Sequence, residues 1–401
     1  MTIDAALSPR AALGISLSRT WLPLGATMNA AIDVRKGLEG VVADTTATSL
    51  VDGEAGKLYY RGHSIESLAT RRFAEVMHLV VFGELPDAAR LAQVEDYLWH
   101  AGRLPRELAA SLRELARHGA HPMATLQAIT PLLSLEPPEL VLGRTAEEEE
   151  GLVIAARLPA AIALIHAALR DYPEHAYPAS RRYGERYLQL MNGVIPSADQ
   201  VEAFECTQIL QLEHGFNAST FTARVATSTL APAASALAAA IGALYGPLHG
   251  GADQAAIEMA YEIGDPARAA EFVAESLATG RIVMGMGHRE YRQVDPRSKI
   301  IRAMAARVAI DAEPRRLLAI LSAVDEAFIE QTRNRRRALR ANLEFYKGVV
   351  CLSLGIPKEF FTVTFAAARA FGWVAHIVEQ RQDNRLIRPS AHYVGPTPRE
   401  A

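Results

Sequence analysis

Cysteine is almost missing from this 401-residue chain, which has only Cys206 and Cys351, far apart and without paired spacing. That excludes a disulfide scaffold and a zinc knuckle, and it fits a reducing, cytoplasmic setting. An excess of one charge is missing too, because 42 Lys and Arg stand against 45 Asp and Glu. No overall field therefore favours nucleic acid or an anionic membrane as a partner. Strand-like alternation is scarce, and there is no internal repeat or low-complexity linker. No GxSxG, HExxH or CxxC spacing occurs, which weakens the case for serine, cysteine or zinc-protease chemistry.

What the chain does have is helical periodicity. Ala88–Ala116, Gly151–Leu169, Arg182–Leu190 and Gln200–Leu212 carry apolar residues at helix spacing, so the fold class is mainly α. The exception is Ser49–Gly62, two short extended runs about a Gly-containing turn, which predicts a hairpin. The length suggests one large domain and a smaller one. Val225–Ala252 has no formal charge but is rich in Ala, Ser and Gly, so it reads as a buried, tightly packed helix rather than a membrane span. Residues 1–36 read as a disordered N-terminal extension, with Met28 as an alternative start. The acidic run Glu147–Glu150 precedes a helical stretch, where negative charge suits the helix dipole. The basic run Thr332–Arg340 lacks interleaved aromatics, which disfavours nucleic acid and leaves a solvated face or a small phosphate ligand.

Three histidines sit in glycine-bearing contexts: LEHGFNAST (His214), LYGPLHGGAD (His249) and VMGMGHREYRQVDPR (His288). Glycine beside an imidazole lets backbone or ligand approach it closely, and imidazole moves protons near neutral pH. Spacing alone leaves zinc ligation open for the three. Glu344 lies in the apolar-aromatic segment NLEFYKG, where an acid is rare unless paired or functional. Arg297, Arg369 and Arg388 are set among apolar or proline-bounded residues, and a guanidinium fork suits carboxylates. Together they point to an anionic, carboxylate-bearing substrate and proton transfer.

GLEGVVA (Gly37–Ala43), YYRGHSIESLA (Tyr59–Ala69), AHPM (Ala120–Met123), HGFNASTFTARV (His214–Val225), GPLHGG (Gly246–Gly251), GMGHREYRQVDPRSKI (Gly285–Ile300), NLEFYKG (Asn342–Gly348) and IRPSAHYVGP (Ile387–Pro396) resemble the citrate synthase family, in order and over nearly the whole chain. The resemblance implies an all-α acyltransferase of the short, dimeric type, which condenses acetyl-CoA with oxaloacetate as in the tricarboxylic acid cycle. Propionyl-CoA, giving 2-methylcitrate, is the close alternative; a catalytically weak paralogue that binds CoA or dicarboxylate is another. It implies a large domain over 37–249 and 351–401 and a small one over 250–350. No metal or cofactor is implied, and the substrates and a second copy of the chain are the expected partners. His249, His288 and Glu344 take the catalytic roles. His214, His288, Arg297, Arg369 and Arg388 bind oxaloacetate, with Arg388 reaching into the partner subunit's site. Arg292, Arg335, Arg337 and Asn342 contact CoA. Departures from the family pattern are Glu344 where Asp is usual, GGADQ (Asp253, Gln254) for GGANE, HREY (Glu290) for HRVY and QLEHG (Gln211–Gly215) for HADHE.

Overall fold

A computed structural model describes residues 34–118, 121–334 and 339–396 of the protein. Thr45–Arg388 form one compact unit; the described residues 34–44 and 389–396 belong to a separate terminal unit. Most of the extension read over 1–36, and both Arg335 and Arg337, lie outside the described residues.

The periodic stretches are helices, with breaks where local chemistry demands them. Ala88–Ala116 divides into helices Ala88–Ala101 and Arg106–Arg117, because Gly102 and Pro105 interrupt it. The Asp87 carboxylate starts the first by accepting the Arg90 N–H at 2.7 Å. The uncharged stretch Val225–Ala252 is not one helix, contrary to expectation. Helix Ala218–Ser228 ends at Leu230, whose φ is +68°, and Pro232 opens the helix Ala233–Tyr245, which packs back on the first. Burial is as expected: Ala233, Ala236, Leu237, Ala240 and Ile241 are all inaccessible.

Two long helices, Ala146–Leu169 and Phe361–Gln382, pack on each other through the core. Both, the second taken from Lys358, are long and apolar enough to cross a membrane, but 94% and 89% of their apolar windows are buried inside the protein. An all-round apolar surface is what a central core helix needs. The acidic run does lie in the first turn of Ala146–Leu169. It also binds the preceding loop, because Glu149 accepts from the Tyr97 hydroxyl at 2.7 Å and from the Gly143 N–H at 2.7 Å.

The predicted hairpin is present as β1 (Ser49–Asp52) and β2 (Lys57–Tyr60), paired antiparallel, with a two-residue β3 (His63–Ser64) beside β2. Its buried Tyr60 hydroxyl donates toward the carbonyls of Ile209 (3.0 Å) and Glu213 (2.8 Å), tying the sheet to the segment that carries His214. Its turn lies on the segment after His288. A Cβ at Gly53 would sit 2.2 Å from the Glu290 carbonyl oxygen, so only glycine fits there.

Candidate active site

Asn217 caps the helix Ala218–Ser228 by accepting the Thr220 N–H at 3.1 Å, and this places the free Ser219 N–H at the helix start. That N–H donates to His249 Nε2 at 3.3 Å, with Ser219 Oγ 2.8 Å from the same nitrogen. A backbone N–H can only donate, so Nε2 accepts and the neutral ring carries its proton on Nδ1. Burial, and then the charge of Arg369, lower the His249 pKa to about 4. At neutral pH this imidazole is an uncharged donor.

His288 is fixed the other way round. Its Nδ1 accepts the backbone N–H groups of Glu290 (3.0 Å) and Tyr291 (3.3 Å), leaving the proton of the neutral ring on Nε2. His214 packs edge-on against it with ring centroids 5.1 Å apart, and His214 Nε2 lies 3.1 Å from the Tyr291 hydroxyl. Burial, and then the positive charge of Arg297, lower the pKa of both rings, that of His214 strongly.

The His288 loop is stitched to the chain just before Glu344. Gly287 N–H donates to the Arg340 carbonyl at 2.8 Å, Asn342 N–H to the Gly285 carbonyl at 2.9 Å, and the Asn342 amide to the Gly287 carbonyl at 3.1 Å. Gly285 has φ +78°, and a Cβ there would lie 2.7 Å from the Phe345 ring. Glu344 is half-buried in the first turn of helix Leu343–Ser353, and its charge acts on His288, Arg297 and Arg369. The structure thus brings the proposed base, one donor histidine and two arginines into one electrostatic cluster.

Both arginines are buried but differently committed. Arg297 forks onto Asp295, with Nε–Oδ1 at 3.0 Å and Nη2–Oδ2 at 2.8 Å. Burial opposes its charge, and Asp295 more than offsets that, so its pKa is raised. Arg369 spends only Nε on the Gln211 carbonyl, at 2.6 Å. Its terminal nitrogens make no hydrogen bond among the described residues, and burial lowers its pKa to about 10. Such a cation is poised to take an anionic ligand.

The other expected residues lie elsewhere. Arg388 is exposed in the segment after Gln382 and makes no hydrogen bond or ion pair among the described residues. Arg292 is also exposed and pairs with Glu54 at 2.7 Å. Asn342 Oδ1 is buried without a hydrogen-bond partner among the described residues. No group of three or more His, Cys, Asp or Glu side chains converges as a metal site among them either.

Sequence reasoning assigned no role to Ser219, Tyr291 or Asp295. Asp295 accepts from Arg297 N–H (3.0 Å) and from Leu343 N–H (3.2 Å), so it starts one helix and holds the start of the helix bearing Glu344. The signal was Asp-Pro at 295–296, an N-cap followed by proline at the first helical position. For Ser219 the only signal was its place two residues after the capping Asn217.

A mainly helical fold holding two neutral imidazoles, a carboxylate and two buried guanidiniums has the groups that proton transfer on an anionic substrate needs. Comparison with known proteins narrows this. A family model, "Citrate synthase, C-terminal domain", matches residues 37–390. A citrate synthase of Deinococcus radiodurans is 34% identical over 90% of this chain and 96% of its own. A 2-methylcitrate synthase of Mycobacterium tuberculosis is 36% identical over 90% and 91%. The solved citrate synthase of Pyrobaculum aerophilum superposes with a TM-score of 0.84 at 34% identity, covering 92% of this chain and 94% of that one. That of Thermoplasma acidophilum, solved as a ternary complex with carboxymethyl coenzyme A and oxaloacetate, also gives 0.84, at 29% identity over 92% and 98%. The chain belongs to the citrate synthase family, and it is an acyltransferase.

Proposed function

We propose that the protein condenses acetyl-CoA with oxaloacetate and water to give citrate and CoA. The observation that carries this is the pair of opposed tautomers, His249 with its proton on Nδ1 and His288 with its proton on Nε2. The methyl proton beside a thioester is weakly acidic. Glu344 takes it while the neutral His249 donates to the thioester oxygen as negative charge develops there. A neutral imidazole stabilises that oxygen without delivering a full proton. The enol carbon then bonds to the ketone carbon of oxaloacetate, and the ketone oxygen takes the proton of His288. Water cleaves the thioester, releasing CoA. Arg297, Arg369 and His214 hold the carboxylates, and Arg388 joins them from the partner subunit of a homodimer. Arg292, Arg335, Arg337 and Asn342 hold CoA.

Residues 250–350 act as a small domain that closes on oxaloacetate. His288 and Arg297 lie within that span and His214 and Arg369 outside it, so a ligand touching all four favours closure. Exclusion of water then strengthens each contact.

Propionyl-CoA is the second reading, since relatives of equal similarity are named 2-methylcitrate synthase. One methylene in an apolar pocket shifts preference by only about 1–3 kcal/mol. A thiol-release assay with each acyl-CoA against oxaloacetate decides. Faster turnover with acetyl-CoA supports the first reading, faster turnover with propionyl-CoA the second, and turnover with neither refutes both.

A further inference from the structure

Lys347 is one of the few fully buried lysines a protein tolerates: its side chain and that of its partner Asp253 are each 1% exposed. The ammonium forms an ion pair with Asp253 Oδ2 and has no other polar partner among the described residues. The other Asp253 oxygen accepts the Gln254 N–H at 2.8 Å. Such a pair is weak evidence for stability, since an apolar replacement often serves as well, and fixing one geometry is the better-attested use.

Its location says which geometry. Lys347 is one turn after Glu344 on the helix Leu343–Ser353. Asp253 is four residues after His249, in the first turn of helix Ala252–Ile263. The Lys347 Nζ also lies 4.9 Å from the centre of the Phe365 ring, and the Arg369 guanidinium lies 4.8 Å from the same centre. Phe365 is one turn before Arg369 on the helix Phe361–Gln382. Three helices therefore meet at one buried charge: two carry Glu344 and Arg369 within a turn of it or of its ring partner, and the third begins three residues after His249. Gly348 permits the approach, because a Cβ there would lie 2.4 Å from Ile257 Cγ1 and 3.1 Å from Phe361 Cε2.

We propose that the Asp253–Lys347 pair, with Phe365, positions Glu344 relative to His249 and Arg369. The inference rests on the condensation reading above. Neither residue touches substrate; both act through the helices they lock. A displacement of about 1 Å in a reacting group costs about a hundredfold in rate, so the lock bears on proton abstraction.

The test replaces both charges together, Asp253→Asn with Lys347→Gln, so that no lone charge is stranded. Wild type is assayed first, and Glu344→Gln serves as the inactive control. If wild type itself does not turn over, the condensation reading falls. If wild type works and Glu344→Gln is dead, the double variant judges the positioning role alone. The expected result is near-wild-type melting and oxaloacetate binding, kcat down at least about tenfold, and a larger kinetic isotope effect with methyl-deuterated acetyl-CoA, because proton removal has become limiting. A folded double variant with kcat within about threefold of wild type and an unchanged isotope effect overturns the proposal. Should that variant not fold, Phe365→Leu removes the shared ring and no charge. It is expected to lower kcat and raise the KM for oxaloacetate together, and unchanged values of both overturn the proposal.

Discussion

His249 and His288 are both neutral and half-buried, yet backbone N–H groups claim opposite nitrogens of the two rings. Each tautomer is thus set by the fold, and each neutral ring keeps one N–H, the donor that the proposed mechanism uses. Replacing either with Ala should lower kcat by about a hundred- to ten-thousandfold with the fold intact, as circular dichroism would confirm; a loss below tenfold in either contradicts the assignment. The pH behaviour follows from burial. The pKa of His249 falls from 6.5 to about 4, so the unfolded chain takes up this proton more readily than the folded one. Its contribution to stability is complete above pH 6.5 and declines as the pH drops from there towards 4. An NMR titration of the His249 ring in the free enzyme should show a midpoint near 4, and one above 6 would contradict the neutral-donor role. The histidines themselves were legible in the sequence because their glycine neighbours mark close approach. Ser219 was not, because its backbone N–H does the work and leaves no signature in residue type; Asp295 left only the Asp-Pro of a helix start, which marks an element and not a site.

At the scale of elements, helix Phe361–Gln382 joins the site to the rest of the core. Gly372, at its middle, would place a Cβ 2.1 Å from the Leu212 carbonyl oxygen, a backbone atom that cannot swing aside. One turn on, His376 lies between the buried carboxylate of Glu213 (3.0 Å) and the half-buried one of Glu379 (3.6 Å), with Arg224 bonded to Glu379 at 2.8 Å. Glu213 in turn accepts from Ser49 in β1 at 2.9 Å. Gly372→Ala should therefore lower unfolding stability by about 3 kcal/mol in a urea titration, because two helices must separate. A change under about 0.5 kcal/mol would show that they do not meet there as described. The helices within Ala88–Ala116, Gly151–Leu169, Arg182–Leu190 and Gln200–Leu212 could be read from apolar spacing, and the hairpin from its glycine turn. The break at Leu230 was missed although Pro232 disfavours one continuous helix; the positive φ itself has no signal in leucine, which rarely adopts it. The network at Glu213 was hidden too: His376 and Glu379 lie far from it in sequence, in a segment read only for Arg369.

At the scale of the whole molecule, the resemblance gave the family and the order of the motifs, while composition and length could bound only the class. Arg388 is exposed and has no hydrogen bond or ion pair among the described residues, which accords with the proposed site shared between two subunits. Mixing inactive Arg388→Ala with inactive His249→Ala should restore about a quarter of wild-type activity after random subunit exchange, since half the dimers then hold one intact site. No recovery, with exchange shown by mass-tagged subunits, contradicts a shared site. The central claim, that a glutamate serves as the base of a citrate-synthase condensation, is tested most directly by Glu344→Gln. The account predicts that thiol release from acetyl-CoA with saturating oxaloacetate disappears while oxaloacetate affinity, measured by calorimetry on the same sample, stays within about threefold of wild type. Full thiol release by the Gln variant would mean that another group removes the methyl proton, and the mechanism would be wrong.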